Sequence, residues 1–292
     1  MHSSGIRRGQ QLGWLVAGAL SMVTAGLGVL DREIYLGLIA PSTRPGAFSQ
    51  DVITVIAGST LCGLGLARTR CGPKLELVAL GLLGYLLYGY GIYVIERVYN
   101  VLYLNYLLIF GLAGWLVVLG SVDLVRRTAE WASLPPRFRR VSACVALLQP
   151  MIFYPLWISM LTPLMVHREQ IDSLYSVFIL DLALVMPAFL LVSVGQFRSR
   201  GWALVLAPVM FVLGAVLILS LLLSELVKPA FGSPVAMSGV VPSALLTALF
   251  AVVAILSLRW LHLGPVTLGQ AKPNTSGKTR TTTQAQTAYT SR

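Results

Sequence analysis

The run WALVLAPVMFVLGAVLILSLLLS at residues 202–224 holds 23 consecutive residues without a charged side chain, and it decides the fold class. Bilayer hydrocarbon is about 30 Å thick and a helix rises about 1.5 Å per residue, so roughly 20 apolar residues cross it. No water reaches a backbone in hydrocarbon, and a helix satisfies its own N–H and C=O groups. The run therefore reads as a membrane-crossing helix.

Seven further stretches pass the same test, at residues 12–30, 52–67, 75–95, 101–121, 141–161, 174–196 and 240–258. The expected fold is all-α, a polytopic bundle of about eight transmembrane helices over residues 1–263. Barrel strands would appear as alternating segments of about ten residues, and no such alternation runs along the chain. Of the 292 residues 56% are hydrophobic and 11% charged, and the mean hydropathy is +0.78. A soluble domain carries about 25% charged residues and could not hide this much apolar surface.

Lys and Arg orient the bundle, because short basic loops stay cytoplasmic. With the N-terminus inside, the inner connections and tails hold 17 of the 22 cations, leaving Arg32, Arg44, Arg97, Arg168 and Lys228 outside. Both termini are thus expected in the cytoplasm. Arg7 and Arg8 before the first span would also suit a signal peptide, but the apolar run is longer than an h-region and no A-x-A site closes it. It is read as an uncleaved helix. The net charge of +11 sits in loops beside apolar spans rather than along a face interleaved with aromatics, so no nucleic acid is expected. The lipid bilayer is the expected partner, with a small polar solute or another membrane protein as further candidates.

Cys62, Cys71 and Cys144 all fall near the cytoplasmic side, where thiols stay reduced, and no disulfide is expected. His2, His167 and His262 are far apart and share no ligand spacing with the cysteines, so neither a metal nor a cofactor is expected. H-E-x-x-H, G-x-S-x-G and G-x-x-x-x-G-K do not occur in the chain.

The connection at 122–140, with Pro135, Pro136 and five arginines, divides the chain into possible halves at 1–121 and 141–263. A shift of 130 residues lays Asp51 on Asp181, Arg68 on Arg198 and Arg70 on Arg200. Two four-span halves would share one orientation, related by an axis along the membrane normal. Similar helix lengths and positive-inside loops recreate such spacing too. The apolar pattern stops after Leu263, residues 270–292 are mostly Thr, Ser, Gln, Lys and Arg with little to bury, and the stretch at 264–292 is expected to be a disordered cytoplasmic tail.

Small residues let helices approach closely in lipid. Gly13, Ala17, Ser21 and Ala25 on the first span, and Ser59, Gly63 and Ala67 on the second, read as contact faces. A tyrosine-rich hairpin at 85–106 has Tyr85, Tyr88, Tyr90 and Tyr93 before a short outer turn and Tyr99, Tyr103 and Tyr106 after it. An interfacial belt accounts for the tyrosines nearest the turn but not for Tyr85 and Tyr88, which lie deeper. Charges within spans are costly and face a cavity or a partner. Asp51, Glu96, Asp181 and Glu225 are such acids, all on the outer side. The candidate binding site is an outward-facing polar pocket of Asp51, Tyr88, Glu96, Asn100, Asn105 and Asp181; the alternative is that each acid marks the wet end of its helix. Pro150, Pro155, Pro187 and Pro208 are expected to bend their helices.

Gln50-Asp51, the 85–105 hairpin, and Leu180-Asp181-Leu182 through Pro187 to Arg198-Ser199-Arg200-Gly201-Trp202 resemble a group of uncharacterised bacterial multi-spanning integral membrane proteins. The resemblance covers most of residues 50–215 and implies a bacterial inner-membrane location, with no activity attached. Three functions remain open: binding or passage of a small polar or cationic solute, which tyrosine faces would also attract; an enzyme on a lipid-linked substrate with Glu96 or Asp181 as acid or base; and a non-catalytic scaffold or accessory subunit.

Overall fold

A computed structural model describes residues 2–67, 72–171 and 175–264, with side chains from residue 9 onward. Cys71, Arg68, Arg70 and the tail from 265 lie outside these residues. Among them the chain is an all-α bundle whose eight long apolar helices each cover one of the expected stretches to within about two residues. It is a polytopic membrane protein.

The helices are α1 (His2–Leu30), α2 (Arg44–Leu66), α3 (Pro73–Ile95), α4 (Tyr103–Thr128) and α5 (Pro136–His167). They continue as α6 (Tyr175–Phe197), α7 (Gly201–Val227) and α8 (Met237–Trp260). α2, α3 and α5 begin with Pro at the first or second position, where its missing N–H is not needed and its fixed φ suits a helix start. The 122–140 connection is shorter than expected. Only residues 129–135 lie outside helix, because Arg126, Arg127, Arg137, Arg139 and Arg140 carry their charge on long stems that reach water from helical turns.

α7 is the hub, packing against α2, α3, α4, α5, α6 and α8. α1 packs on α2 and α4, α3 on α4, and α5 chiefly on α6. One end of the bundle gathers most of the described cations and is tied together by polar contacts. Arg127 pairs with buried Glu76 at 2.6 Å and with Asp123 at 2.8 Å. Gln10 donates to Asp123 at 3.3 Å, and Lys74 to the Arg259 carbonyl at 3.2 Å. Ser133 and His262 exchange two backbone hydrogen bonds of 3.1 Å, fixing the α4–α5 connection to the end of α8.

On α1 the small-residue face is as read, with Ala17, Ser21 and Ala25 all buried. On α2 it is not: Ser59 is exposed and Gly63 faces open space. The contact runs instead through Gly58 and Gly65. A β-carbon on Gly58 would lie 2.7 Å from the Gly18 carbonyl oxygen, and one on Gly65 would lie 2.9 Å from that of Gln11. One residue of offset turns a helix by about 100°, so a neighbouring stripe of small residues faces elsewhere.

Because both obstacles at the Gly18–Gly58 crossing are backbone, Gly58→Ala should force α1 and α2 apart, costing about 1–3 kcal/mol. Gly63→Ala, into open space, should stay within about 0.5 kcal/mol. Thermal unfolding of the two variants in the same detergent compares them; equal melting temperatures would remove Gly58 from the interface.

Candidate functional site

A cavity of about 550 Å³ opens in the half of the bundle away from the cationic end, between α2, α3, α5, α6 and α7 and beside the 38–43 loop. Each helix gives it one stripe. On α5 the stripe is Gln149, Phe153, Trp157 and Met160, spaced by four, four and three residues so that one helical face lines the wall. Most of the wall is apolar, from Ile92, Phe178, Val185, Leu217 and their neighbours.

Asp181 lies on this wall, 7% exposed. Its backbone is unusual. Residues Asp181–Val185 form a π-helical turn, in which the Met186 N–H reaches back five residues to the Asp181 carbonyl. Pro187 follows directly; it has no N–H and its ring crowds the carbonyl four residues earlier, so a regular α-helix cannot pass through 183 undisturbed. The wider turn takes up the mismatch, as single π-turns inside helices do, frequently at functional sites. The Asp181 carboxylate accepts the Trp157 indole N–H at 2.8 Å and lies within hydrogen-bonding reach of the Tyr88 hydroxyl. Phe153 and Phe178 hold the indole, with centroids 5.8 and 5.4 Å from it. An Asp at the centre of a membrane helix costs about 3 kcal/mol, and hydrogen bonds to a charged group return about 1.5–3 kcal/mol each. The Trp157 bond therefore offsets much of that cost, and it comes from another helix.

Toward the mouth stands Glu96, which accepts the Ser176 hydroxyl at 2.6 Å and the Ser176 N–H at 3.0 Å. Glu225 forms an ion pair there, with Lys228 at 2.6 Å. All three line the cavity. Farthest along the helices from Glu96 and Glu225 lie Tyr85, Gln149, Phe189 and Gly214. Beneath Gly214, Phe189, Phe211 and Phe250 pack ring to ring with centroids 5.8–6.4 Å apart, each fully buried.

The cavity thus brings together Tyr88, Glu96 and Asp181 of the candidate residues and leaves out Asp51, Asn100 and Asn105. Asp51 faces away from it, into a clasp of tyrosines. It is 2% exposed and accepts the Tyr35 hydroxyl at 2.7 Å and the Tyr93 hydroxyl at 3.4 Å. Burial, and after it the Asp51 carboxylate, push the Tyr35 phenol well above its ordinary range, so it remains a donor. Tyr35 stacks on Tyr93, which meets Tyr106 and Tyr90. Gly28 gives this clasp its room, since a β-carbon there would run into Asp51 and Tyr35. Asn100 shapes the α3–α4 turn, accepting the Leu102 N–H at 3.0 Å and donating to Tyr106 at 2.9 Å. Asn105 is half-buried on α4. Tyr85, too deep for a belt, bonds Thr54 and the Gln50 carbonyl at 3.0 and 2.9 Å and so pins α3 to α2.

Trp157, Gln149 and Ser176 are site residues that the acid-and-tyrosine reading did not include. The signal for Gln149 and Trp157 lies in their eight-residue separation on one face of an apolar span. No family model, curated protein or solved structure matches the chain.

Asp51 is therefore expected to serve stability. Tyr35→Phe leaves it only the longer bond and should lower stability by about 1–3 kcal/mol, with Tyr93→Phe milder. Melting temperatures of the two variants check the order, and a neutral Tyr35→Phe would mean the clasp holds without that hydroxyl.

Proposed function

We propose that the chain binds a small amphipathic solute bearing a cationic or hydrogen-bond-donating group, in the outer-side cavity, with Asp181 as its anchor. The observation that carries this is a buried carboxyl on the cavity wall, held by Trp157 from another helix and set in a π-turn. The acids lining the cavity outnumber its one lysine, three to one, and that lysine is already paired with Glu225. Trp157 and Tyr88 beside the carboxyl add faces that attract cations. The apolar remainder of the wall favours a solute with an apolar body over a small hydrated ion, since desolvating the latter would go uncompensated.

The cationic end of the bundle supports a plasma-membrane orientation with both termini cytoplasmic, and the resemblance above supports a bacterial membrane. α3 and α7 run parallel and pack on each other, Gly84 against Leu213. Those are neighbouring positions under the 130-residue shift, which supports two repeats about an axis between these helices. In this reading passage through the membrane would need the floor at Phe189 to open.

Purified protein in lipid nanodiscs, melted with increasing octylamine, choline or tetraethylammonium, tests the anchor. At a hundred times its dissociation constant a ligand adds about 2.7 kcal/mol of stability. At least one of these cations should raise the melting temperature of the wild type, and Asp181→Asn should abolish the shift while remaining folded. A shift unchanged in Asp181→Asn, or none with any of the cations, would sink the proposal. Orientation has its own check: green fluorescent protein fused after Arg292 should fluoresce, and alkaline phosphatase fused there should be inactive, because it needs the oxidising side.

A further inference from the structure

α5 leaves the bundle halfway along its length. Ser142, Ala143, Ala146, Gln149 and Pro150 are buried, and no residue from 151 to 167 is. Its packing on α6 falls chiefly on residues 186–197. Pro150, Pro155 and Pro163 lie inside the helix. Each lacks the N–H that the carbonyl four residues earlier would accept, so the arm beyond 150 is also short of its own backbone bonds. Among the described residues, one side-chain hydrogen bond joins that arm to another helix, from Trp157 to Asp181 at 2.8 Å.

Where α5 parts from α6 it leaves a groove of about 490 Å³. Leu161, Leu164 and Met165 of α5 and Ile179 and Leu182 of α6 are its aliphatic walls, with Glu169 and Tyr175 its polar members. Met165 and Ile179 are exposed, on helices that cross the membrane. The groove continues the cavity. On α5, Phe153, Trp157, Leu161 and Leu164 follow one another at four, four and three residues and share one face, the first two lining the cavity and the last two the groove. On α6, Phe178 lines both spaces, and Leu182 of the groove adjoins Asp181 of the cavity in the chain. The partition is a pair of rings, Trp157 and Phe178, set edge to face with centroids 5.4 Å apart.

Resting on the Asp181 reading, we infer that the ligand is a single-chain cationic amphiphile of the bilayer, its ammonium at Asp181 and its aliphatic tail leaving between Trp157 and Phe178 into the α5–α6 groove. The rings can part because one of them stands on the loosely held arm. A tail in the groove has hydrocarbon around it whether bound or free, so once the ligand's share of the bilayer is fixed, lengthening the tail neither helps nor hinders binding. A tail confined to the 550 Å³ cavity would meet a limit of length.

The test compares octylamine and hexadecylamine by melting-temperature shift in nanodiscs. Amounts are expressed as mole fraction in the bilayer, from partitioning into empty discs, and the shift seen in Asp181→Asn is subtracted as background. On the wild type the two amines should half-saturate within about threefold of each other. Leu164→Trp fills the groove; hexadecylamine should then need at least about tenfold more, while octylamine, short enough for the cavity, acts as before. Ile179→Trp, on the opposite wall, repeats the comparison should Leu164→Trp lose octylamine or fail to fold. A wild type that does not answer hexadecylamine, or a hexadecylamine response that survives both substitutions, overturns the groove. The Asp181 anchor still stands in that case if octylamine, choline or tetraethylammonium gives a shift that Asp181→Asn lacks. If no cation gives such a shift, the anchor itself falls and this inference with it.

Discussion

A backbone in hydrocarbon must bond to itself, and the architecture follows from that demand. It makes every crossing a helix, and it makes any break in a helix expensive unless a neighbour or a local rearrangement compensates. Pro187 is such a break. α6 answers it with the π-turn at Asp181–Val185, which keeps the Met186 N–H paired with the Asp181 carbonyl. The same turn stands where the carboxylate of Asp181 meets a tryptophan from α5 and a tyrosine from α3. One backbone accommodation thus sits at the most polar point of an otherwise apolar wall.

Around this point the tyrosines of α3 fasten the bundle. Tyr85, Tyr90 and Tyr93 bond Gln50, Ser21, Ala47 and Asp51, tying α3 to α1 and α2. Tyr88 lines the cavity, whose wall Tyr85 and Tyr93 also touch. Two of these side chains therefore hold the helices together and bound the cavity at once. α7 separates the cavity from α8 and meets six other helices, which suits the uncharged run at 202–224.

The eight crossings were legible because mean hydropathy over some twenty residues is a large signal that no tertiary detail can reverse. Asp181 and Tyr88 were legible for a related reason: a charge with apolar sequence on both sides must have a partner. Asp51, at the polar start of its expected span, found its partners elsewhere. Its two tyrosines lie at positions 35 and 93, on either side of it in sequence, and nothing in the spacing says which way α2 turns. The α2 contact face failed by one position, Gly58 for Ser59, because α2 is rich in small residues and several stripes look alike. Gln149 and Trp157 were passed over because an amide and an indole in an apolar span carry no charge to draw attention; their importance comes from the helices facing them. The outer turn read as polar lining is instead a folding element, since Asn100 spends both ends of its amide on the turn and on Tyr106.

The three phenylalanines beneath the cavity carry an electrical consequence. Phe189, Phe211 and Phe250 are fully buried and touch one another across α6, α7 and α8. They form a septum of low dielectric constant below the cavity floor, with no titratable group among the three rings. A transmembrane potential acts on a charge in proportion to the fraction of the field crossed, about 2.3 kcal/mol for a full charge moved through 100 mV. In the proposed orientation this layer lies on the inner side of the cavity. A cation that bound at Asp181 from outside would then cross only the part of the field above the layer, and its occupancy would follow outside concentration more than membrane voltage.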